Sequence, residues 1–430
     1  MSEKYVEMWK SLGMDIEKHN LLLNGLGQYY TSAVMSQKNR PKKMDYFDYV
    51  VSEVHGLRIK ELNDQRQQGK KVIGAFCIYA PEELAYAADA TMVGLCAGAD
   101  FSVPDAEAVL PRNLCPLIKS FYGFKLNRTC PYFQSSDLVV GETTCDGKKK
   151  VYELLSELVP TYVLEVPHKP DTQQGKEFWF KELEAFKTEL EKVTGNKITA
   201  ETLKSAIELI NGKRKALKRL SDLRAKSPSP ISGLDGLLIE QISFMDDVKR
   251  FTAKVDELCE ELEQRTKQGV GVAAKDAPRI MISGSPMAVP NWKVHVIVES
   301  VGATVVVEES CVGTRYFTDA VESKGESLKD QLWAAIDEKY SKIPCACFTP
   351  NDRRIESIKQ LAEQFKVDGV IYYTLQNCHD YNVEGVKVER ALKAQGLPML
   401  KIETDYTMGD AEQIKTRIQA FLEIIQGKKQ

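Results

Sequence analysis

The chain predicts an α/β fold of two doubly wound, flavodoxin- or Rossmann-like parallel-sheet lobes, with helical segments at the N-terminus and in the middle. Three observations carry this. Short apolar runs alternate with helical stretches over residues 71–170 and again over 276–430, and such alternation implies a parallel sheet with helices on its faces. Residues 171–275 lose the short runs and show apolar positions three or four apart amid abundant charge, which is the period of helices. One local pattern also occurs twice, Asp137-Leu-Val-Val running to Cys145-Asp146 and Asp368-Gly-Val-Ile running to Cys378-His379, each followed by a helical stretch and another strand. The lobes therefore read as structural duplicates. At 430 residues the chain also exceeds the roughly 250 to 300 residues at which single cores stop growing.

Residues 1–70 mix polar and apolar positions at helical spacing, carry Lys42-Lys43, and end in a basic cluster from Arg66 to Lys71. They read as helices packed on the lobe that follows. In that lobe, strands are predicted at 72–77, 92–96, 138–140 and 162–166, with helices beginning at Pro81-Glu-Glu-Leu-Ala, Leu114-Cys-Pro and Asp146-Gly-Lys. Pro81 suits a first helical turn, where its missing N–H costs nothing. The middle section predicts helices over 177–193, 202–223 and 244–268, broken at Pro228-Ser-Pro. Its basic run at 213–219 reads as a solvated helix face, because acidic helices follow directly. The second lobe predicts strands from 279, at 304–307, 369–373 and 399–402, and helices at 292–301, 354–366, 383–394 and 411–425.

Hydrophobic residues make up 43%, charged residues 28%, and the formal net charge is −3. No basic excess is available to hold a polyanion, so nucleic acid is not an expected partner. The N-terminus begins charged and no apolar run approaches the 18 or more residues of a membrane helix, so a cytoplasmic protein is expected. Ten cysteines in a reducing compartment read as ligands, reactive thiols or core residues rather than as a disulfide framework.

Seven of the ten sit where strands end and loops or helices begin. Cys115 and Cys130 each open a Cys-Pro dipeptide, Cys145 and Cys378 end the paired strands, Cys311 follows Glu308-Glu-Ser, and Cys345 and Cys347 form a Cys-x-Cys. A thiol at a helix N-terminus meets the positive end of the dipole, which favours the thiolate a metal needs. Cys77, Cys96 and Cys259 lie within or against apolar runs and read as small core hydrophobes. Structural zinc commonly uses two close pairs such as Cys-x₂-Cys, and the chain has none. Iron–sulfur clusters take thiolates from separated loops, three or four per cluster, and seven dispersed candidates exceed what one cubane needs.

Other chemistry is thinner. Of five histidines, His295 is flanked by apolar residues, and His379, next to Cys378, could donate a hydrogen bond or a proton near a cluster; a helix-start role explains it equally. Glu142, Thr143, Thr144 and Lys148 lie within reach of whatever Cys145 binds, and helix capping accounts for them as well. Neither a GxGxxG nor a Walker A sequence is present, which disfavours nucleotide binding by this chain alone.

Pro81-Glu-Glu-Leu-Ala-Tyr-Ala-Ala, Leu114-Cys-Pro-Leu-Ile-Lys-Ser, Asp137-Leu-Val-Val-Gly-Glu-Thr-Thr-Cys-Asp-Gly-Lys-Lys-Lys, Val367-Asp-Gly-Val-Ile with Cys378, and Ile402-Glu-Thr-Asp-Tyr406 together resemble the 2-hydroxyacyl-CoA dehydratase and benzoyl-CoA reductase family. The resemblance runs from about residue 70 to the C-terminus. It implies that Cys115, Cys145 and Cys378 correspond to the three ligands of a [4Fe-4S] cluster. The additional Cys130, Cys311 and Cys345/Cys347 look like the double-cubane branch, in which one chain binds an [8Fe-9S] unit through three cysteines per cubane. The set implied is Cys115, Cys130, Cys145, Cys311, Cys345 and Cys378, with Cys347 in reserve for Cys345. The resemblance further implies a homodimer served by a separate homodimeric activator, which carries its own [4Fe-4S] cluster and hydrolyses ATP.

Three readings of function follow: a double-cubane reductase of a small molecule at low potential, a [4Fe-4S] 2-hydroxyacyl-CoA dehydratase subunit, or a metal-free α/β binding protein. In the first, Glu142, Lys148 and His379 are the candidate catalytic groups.

Overall fold

The computed structural model describes residues 3–322, 325–335 and 339–427. Four strands form the first sheet, β1 (Val72–Ala75), β2 (Thr91–Gly94), β3 (Leu138–Glu142) and β4 (Thr161–Leu164), in the order β2-β1-β3-β4. Four more form the second, β5 (Arg279–Gly284), β6 (Thr304–Glu309), β7 (Gly369–Leu375) and β8 (Met399–Thr404), in the order β6-β5-β7-β8. Every pairing is parallel. The two orders are the same permutation, as the repeated Asp-x-Val pattern predicts. β1, β3, β5 and β7 are buried along their whole lengths, which is why they read as continuous apolar runs rather than alternating ones.

The order places a crevice at the carboxyl ends of each sheet, where the strand sequence reverses. The helices that matter for the site start there: Pro116–Leu126, Asp146–Leu155 and His379–Ala394. The last begins four residues earlier than the apolar spacing suggests, with Cys378 at its N-cap.

The N-terminal segment is helical (Val6–Ser11, Ile16–Tyr30, Met44–Ser52 and Leu57–Gln67). It packs on more than the first lobe, since the Arg40 guanidinium spans Asp48 and Asp235, the latter in the middle section. That section contains the long helices Gln173–Thr194, Ala200–Arg224 and Val248–Lys267. It also holds the helix Gly233–Ile242, which the apolar spacing does not predict. All ten of its residues are buried, so it has no polar face and leaves no amphipathic period.

The basic run at 213–219 is a solvated face only in part: Lys215 is exposed and Lys218 and Arg219 are half-buried, but its first two cations turn inward. Lys213 and Arg214 are buried, not solvated. Lys213 Nζ lies 2.6 Å from Glu82 Oε2, and Arg214 Nη1 lies 2.6 Å from Glu83 Oε1. The Ala200–Arg224 helix packs on Glu82–Ala87 of the first lobe and on Thr314–Phe317 and β6 of the second. It is a central strut, and a charge on its inner face is tolerated because a carboxylate from the first lobe meets it. Among the described residues, no helix is long and apolar enough to cross a membrane.

Candidate metal centre

The carboxyl ends of the two sheets face one another across a cavity of about 450 Å³. Seven cysteines line it: Cys77, Cys115 and Cys145 from the first lobe, and Cys311, Cys345, Cys347 and Cys378 from the second. Cys77 follows β1 by two residues and Cys311 follows β6 by two. Cys115, Cys145 and Cys378 are the N-caps of the three helices that begin at the crevice, and Cys145 Sγ accepts from the Lys148 N–H at 3.5 Å.

The thiols fall into two mutually interacting groups. Cys115, Cys145 and Cys378 form one, and Cys77, Cys311, Cys345 and Cys347 the other. Each group draws on both lobes. Within them, hydrogen bonds between sulfurs split the acidities. The Cys77 thiol, and then the Arg315 guanidinium 3.9 Å from Cys311 Sγ, pull Cys311 down to about 6. Cys378 holds Cys115 below the usual thiol value, and Cys347 does the same for Cys345. The partners Cys77, Cys347 and Cys378 are pushed up, and burial pushes Cys145 up to about 11.

Five of the six ligands implied by the resemblance line this cavity. Cys130 does not; it is fully buried with its Sγ 2.9 Å from that of Cys96. Its Cys-Pro dipeptide copies that of Cys115, but the short helix it caps, Pro131–Ser135, starts away from the crevice. Cys77, read as a core hydrophobe, lines the cavity instead. The signal available for it was position: it stands just past the carboxyl end of a central strand, where doubly wound sheets present ligand-binding groups. Cys259 is buried in the Val248–Lys267 helix, as expected of a core thiol.

Glu142 and Lys148 form an ion pair at the cavity wall. Glu142 is fully buried at the end of β3, and its Oε2 meets no partner among the described residues. Thr144 Oγ1 lies 3.4 Å from Glu142 Oε1, whereas Thr143 accepts from the Val166 N–H. His379 is exposed, at the cavity mouth with Asp380, whose carboxyl burial raises. Behind Cys311 lies a buried charge network that the sequence pattern does not predict. Arg315 and Arg354 share Glu309, Arg315 also meets Tyr381, and Arg354 reaches Glu384. The consecutive carboxylates Glu308-Glu309 at the end of an apolar strand were its visible trace, since buried carboxylates require cations.

Among the described residues, no group of three His, Cys, Asp or Glu side chains converges as a single ion needs; the thiols are spread over the wall. The donor set, soft thiolates with one imidazole at the mouth, fits an iron–sulfur cluster by ligand chemistry and suits a hard cation poorly. The wall also carries Tyr86, Met92, Phe244 and Val248, with the Lys213–Glu82 ion pair and Asp246 among them.

The family model described as "2-hydroxyglutaryl-CoA dehydratase, D-component" matches residues 77–425. The chain is 36% identical over 376 residues to YjiM of Escherichia coli (strain K12), a candidate dehydratase subunit, covering 87% of this chain and 96% of that one. It is 26% identical to the (R)-phenyllactyl-CoA dehydratase beta subunit of Clostridium sporogenes, covering 85% and 94%. It is 22% identical to one of the benzoyl-CoA reductase subunits of Thauera aromatica, covering 83% and 91%. A solved chain, the SBP FpvC from Pseudomonas aeruginosa in complex with Mn2+, aligns over 84% of this chain and 99% of its own at 12% identity and a TM-score of 0.19, too low to bear on fold or ligand.

Proposed function

The chain belongs to the 2-hydroxyglutaryl-CoA dehydratase D-component family, and on that premise we propose that it is a low-potential reductase whose thiol cavity holds a double-cubane [8Fe-9S] cluster. The observation that carries the reading is the seven cysteines, drawn from both lobes, that line one cavity, more than a single cubane takes. Cys115, Cys145 and Cys378 would hold one cubane. Cys77 and Cys311, with Cys345 or Cys347, would hold the other. Both groups take ligands from both lobes, so the cluster would sit in the crevice that the parallel sheets create.

Bound there, the cluster supplies electrons at a low potential, set by burial and by hydrogen bonds to sulfur. The protein's own contribution is electrostatic. Arg315 beside Cys311, and the Lys148 ammonium acting on Cys77 and Cys311, set two buried cations against the thiolates, and Glu309 and Glu142 hold those cations in place. His379 and Asp380 at the mouth are the candidate groups for delivering a proton to a small-molecule substrate. The charging partner is a separate homodimeric, ATP-hydrolysing [4Fe-4S] activator, with this chain acting as a homodimer; the lack of a Walker A sequence here fits nucleotide binding by the partner.

The names of the relatives favour a second reading, a 2-hydroxyacyl-CoA dehydratase subunit, which would hold one [4Fe-4S] cluster through Cys115, Cys145 and Cys378. Iron and acid-labile sulfide on protein purified without oxygen separate the two. The double cubane requires about eight irons and nine sulfides per chain, the single cluster about four of each. Activity toward a 2-hydroxyacyl-CoA would support the second reading.

A further inference from the structure

Of the close thiol pairs in the molecule, one lies outside the cavity. Cys96 follows β2 in a loop whose neighbours, Leu95 and Ala97, both line the cavity, while Cys96 itself points away from it. Cys130 approaches from the other side as the N-cap of Pro131–Ser135. Their Sγ atoms are 2.9 Å apart. Cys130 is fully buried and Cys96 is partly exposed.

Both sides of the pair are held by backbone. Leu95 N–H donates to Ala75 O at 3.0 Å and Gly94 N–H to Phe244 O at 2.7 Å, fixing the loop before Cys96. On the other side Gln134 N–H donates to Cys130 O at 3.2 Å and Thr129 Oγ1 to Asn127 Oδ1 at 2.7 Å. A disulfide needs the sulfurs about 2.05 Å apart, so closure asks for less than about 1 Å of sulfur movement. Burial opposes ionisation of Cys130, but the Cys96 thiol and the N–H groups of Phe133, Cys96 and Tyr132 outweigh it and hold Cys130 below the usual thiol value. Cys96 is correspondingly raised. The arrangement is that of a thiolate beside a thiol that can pass it a proton.

We propose that Cys96 and Cys130 are a reversible dithiol–disulfide couple, a modification site behind the cavity wall that exchanges with small-molecule disulfides. Cys130 thiolate takes the Cys96 proton, and Cys96, the partly exposed member, attacks the small disulfide as a thiolate; its S–S bond breaks, a mixed disulfide forms on Cys96, and the first small molecule leaves as its thiolate. Cys130 thiolate then attacks Cys96 Sγ, and the second small thiol leaves with the proton Cys130 gave up. Two cysteine sulfurs are oxidised by one electron each, and one small disulfide is reduced to two thiols. The new bond ties the Leu95–Ala97 wall segment to the Pro131–Ser135 helix. It thereby couples the cavity wall to the thiol–disulfide balance of the surroundings by chemistry separate from the cavity thiols.

The test uses the full chain purified without oxygen, equilibrated with mixtures of 2-hydroxyethyl disulfide and 2-mercaptoethanol, quenched in acid, alkylated and mapped by peptide mass spectrometry. The expected result is a Cys96–Cys130 linked peptide that rises to saturation with the disulfide-to-thiol ratio and reverts on return to thiol, with iron per chain unchanged. Cys96→Ser and Cys130→Ser should each abolish the linked peptide and leave iron at the wild-type value. Absence of the linked peptide across the titration would overturn the proposal. So would loss of iron in a folded Cys130→Ser protein, which would move Cys130 to the cluster; if that variant does not fold, Cys130→Ala supplies the same reading. Linked peptide formed by a chain without iron would leave this proposal standing while removing the cluster reading.

Discussion

Cys77 and Cys130 offer the sharpest contrast between single residues. Cys77 shares a group with Cys311, Cys345 and Cys347 at the cavity, whereas Cys130 faces Cys96 behind it. Cys77→Ala is expected to lower iron per chain by about half, the content of one of two cubanes, while Cys130→Ala leaves iron unchanged. Iron and sulfide analysis on both anaerobically purified variants checks this, and equal iron loss in the two would return Cys130 to the ligand set. Most of the cavity thiols were legible from the sequence because a cysteine at a helix start advertises itself by local chemistry. Cys77 was not, because an apolar run ends identically whether its last side chain faces a core or a crevice. The same limit applies to Lys213 and Arg214, whose partners Glu82 and Glu83 lie more than a hundred residues away.

Individual elements are joined by buried charge. Arg224 ends the long middle helix, and its guanidinium grips Glu308 of β6 with both carboxylate oxygens, at 2.6 and 2.7 Å. His295 Nε2 lies 2.8 Å from the same carboxylate. Burial works against ionisation of Glu308, yet Arg224 and then His295 overcome it and hold the carboxyl down at about 2. Arg224→Ala leaves that carboxylate buried without its cation and is expected to cost about 3–5 kcal/mol, measured by urea denaturation at pH 7. The double variant Arg224→Met/Glu308→Leu should recover most of the loss, since an apolar pair of similar volume replaces a buried ion pair at little cost. A loss below about 1 kcal/mol in Arg224→Ala would mean that Glu308 finds another partner, contrary to this geometry. Strand and helix identities were legible at this scale wherever one face stayed polar. The Gly233–Ile242 helix escaped because no face did.

At the scale of the whole molecule, the two lobes share one large core, while a second, smaller cluster around Met281, Val307, Tyr372 and Val388 belongs to the second sheet alone. One continuous cluster of buried side chains includes Val72 and Val139 from the first sheet, Leu217 and Leu237 from the middle helices, and Ile282 and Ile371 from the second sheet. The Ala200–Arg224 helix touches both lobes, and the two thiol groups are each completed across the crevice. A single cooperative unfolding transition is therefore expected in calorimetry. Two resolved transitions would mean that the lobes unfold independently and that the shared core contributes little.

The sequence by itself determined the α/β alternation, the duplication of the lobes and the helix-start cysteines. These depend on residues close together in the chain: apolar period, a proline in a first turn, a thiol at a strand end. Only the tertiary structure decided that Cys77 belongs with Cys311 rather than in the core, that Cys130 turns to Cys96, and that two cations of a basic run, Lys213 and Arg214, turn inward. The partner that settles each of those roles comes from a distant part of the chain, and the crevice that brings them together exists only once both sheets have packed against the middle helices.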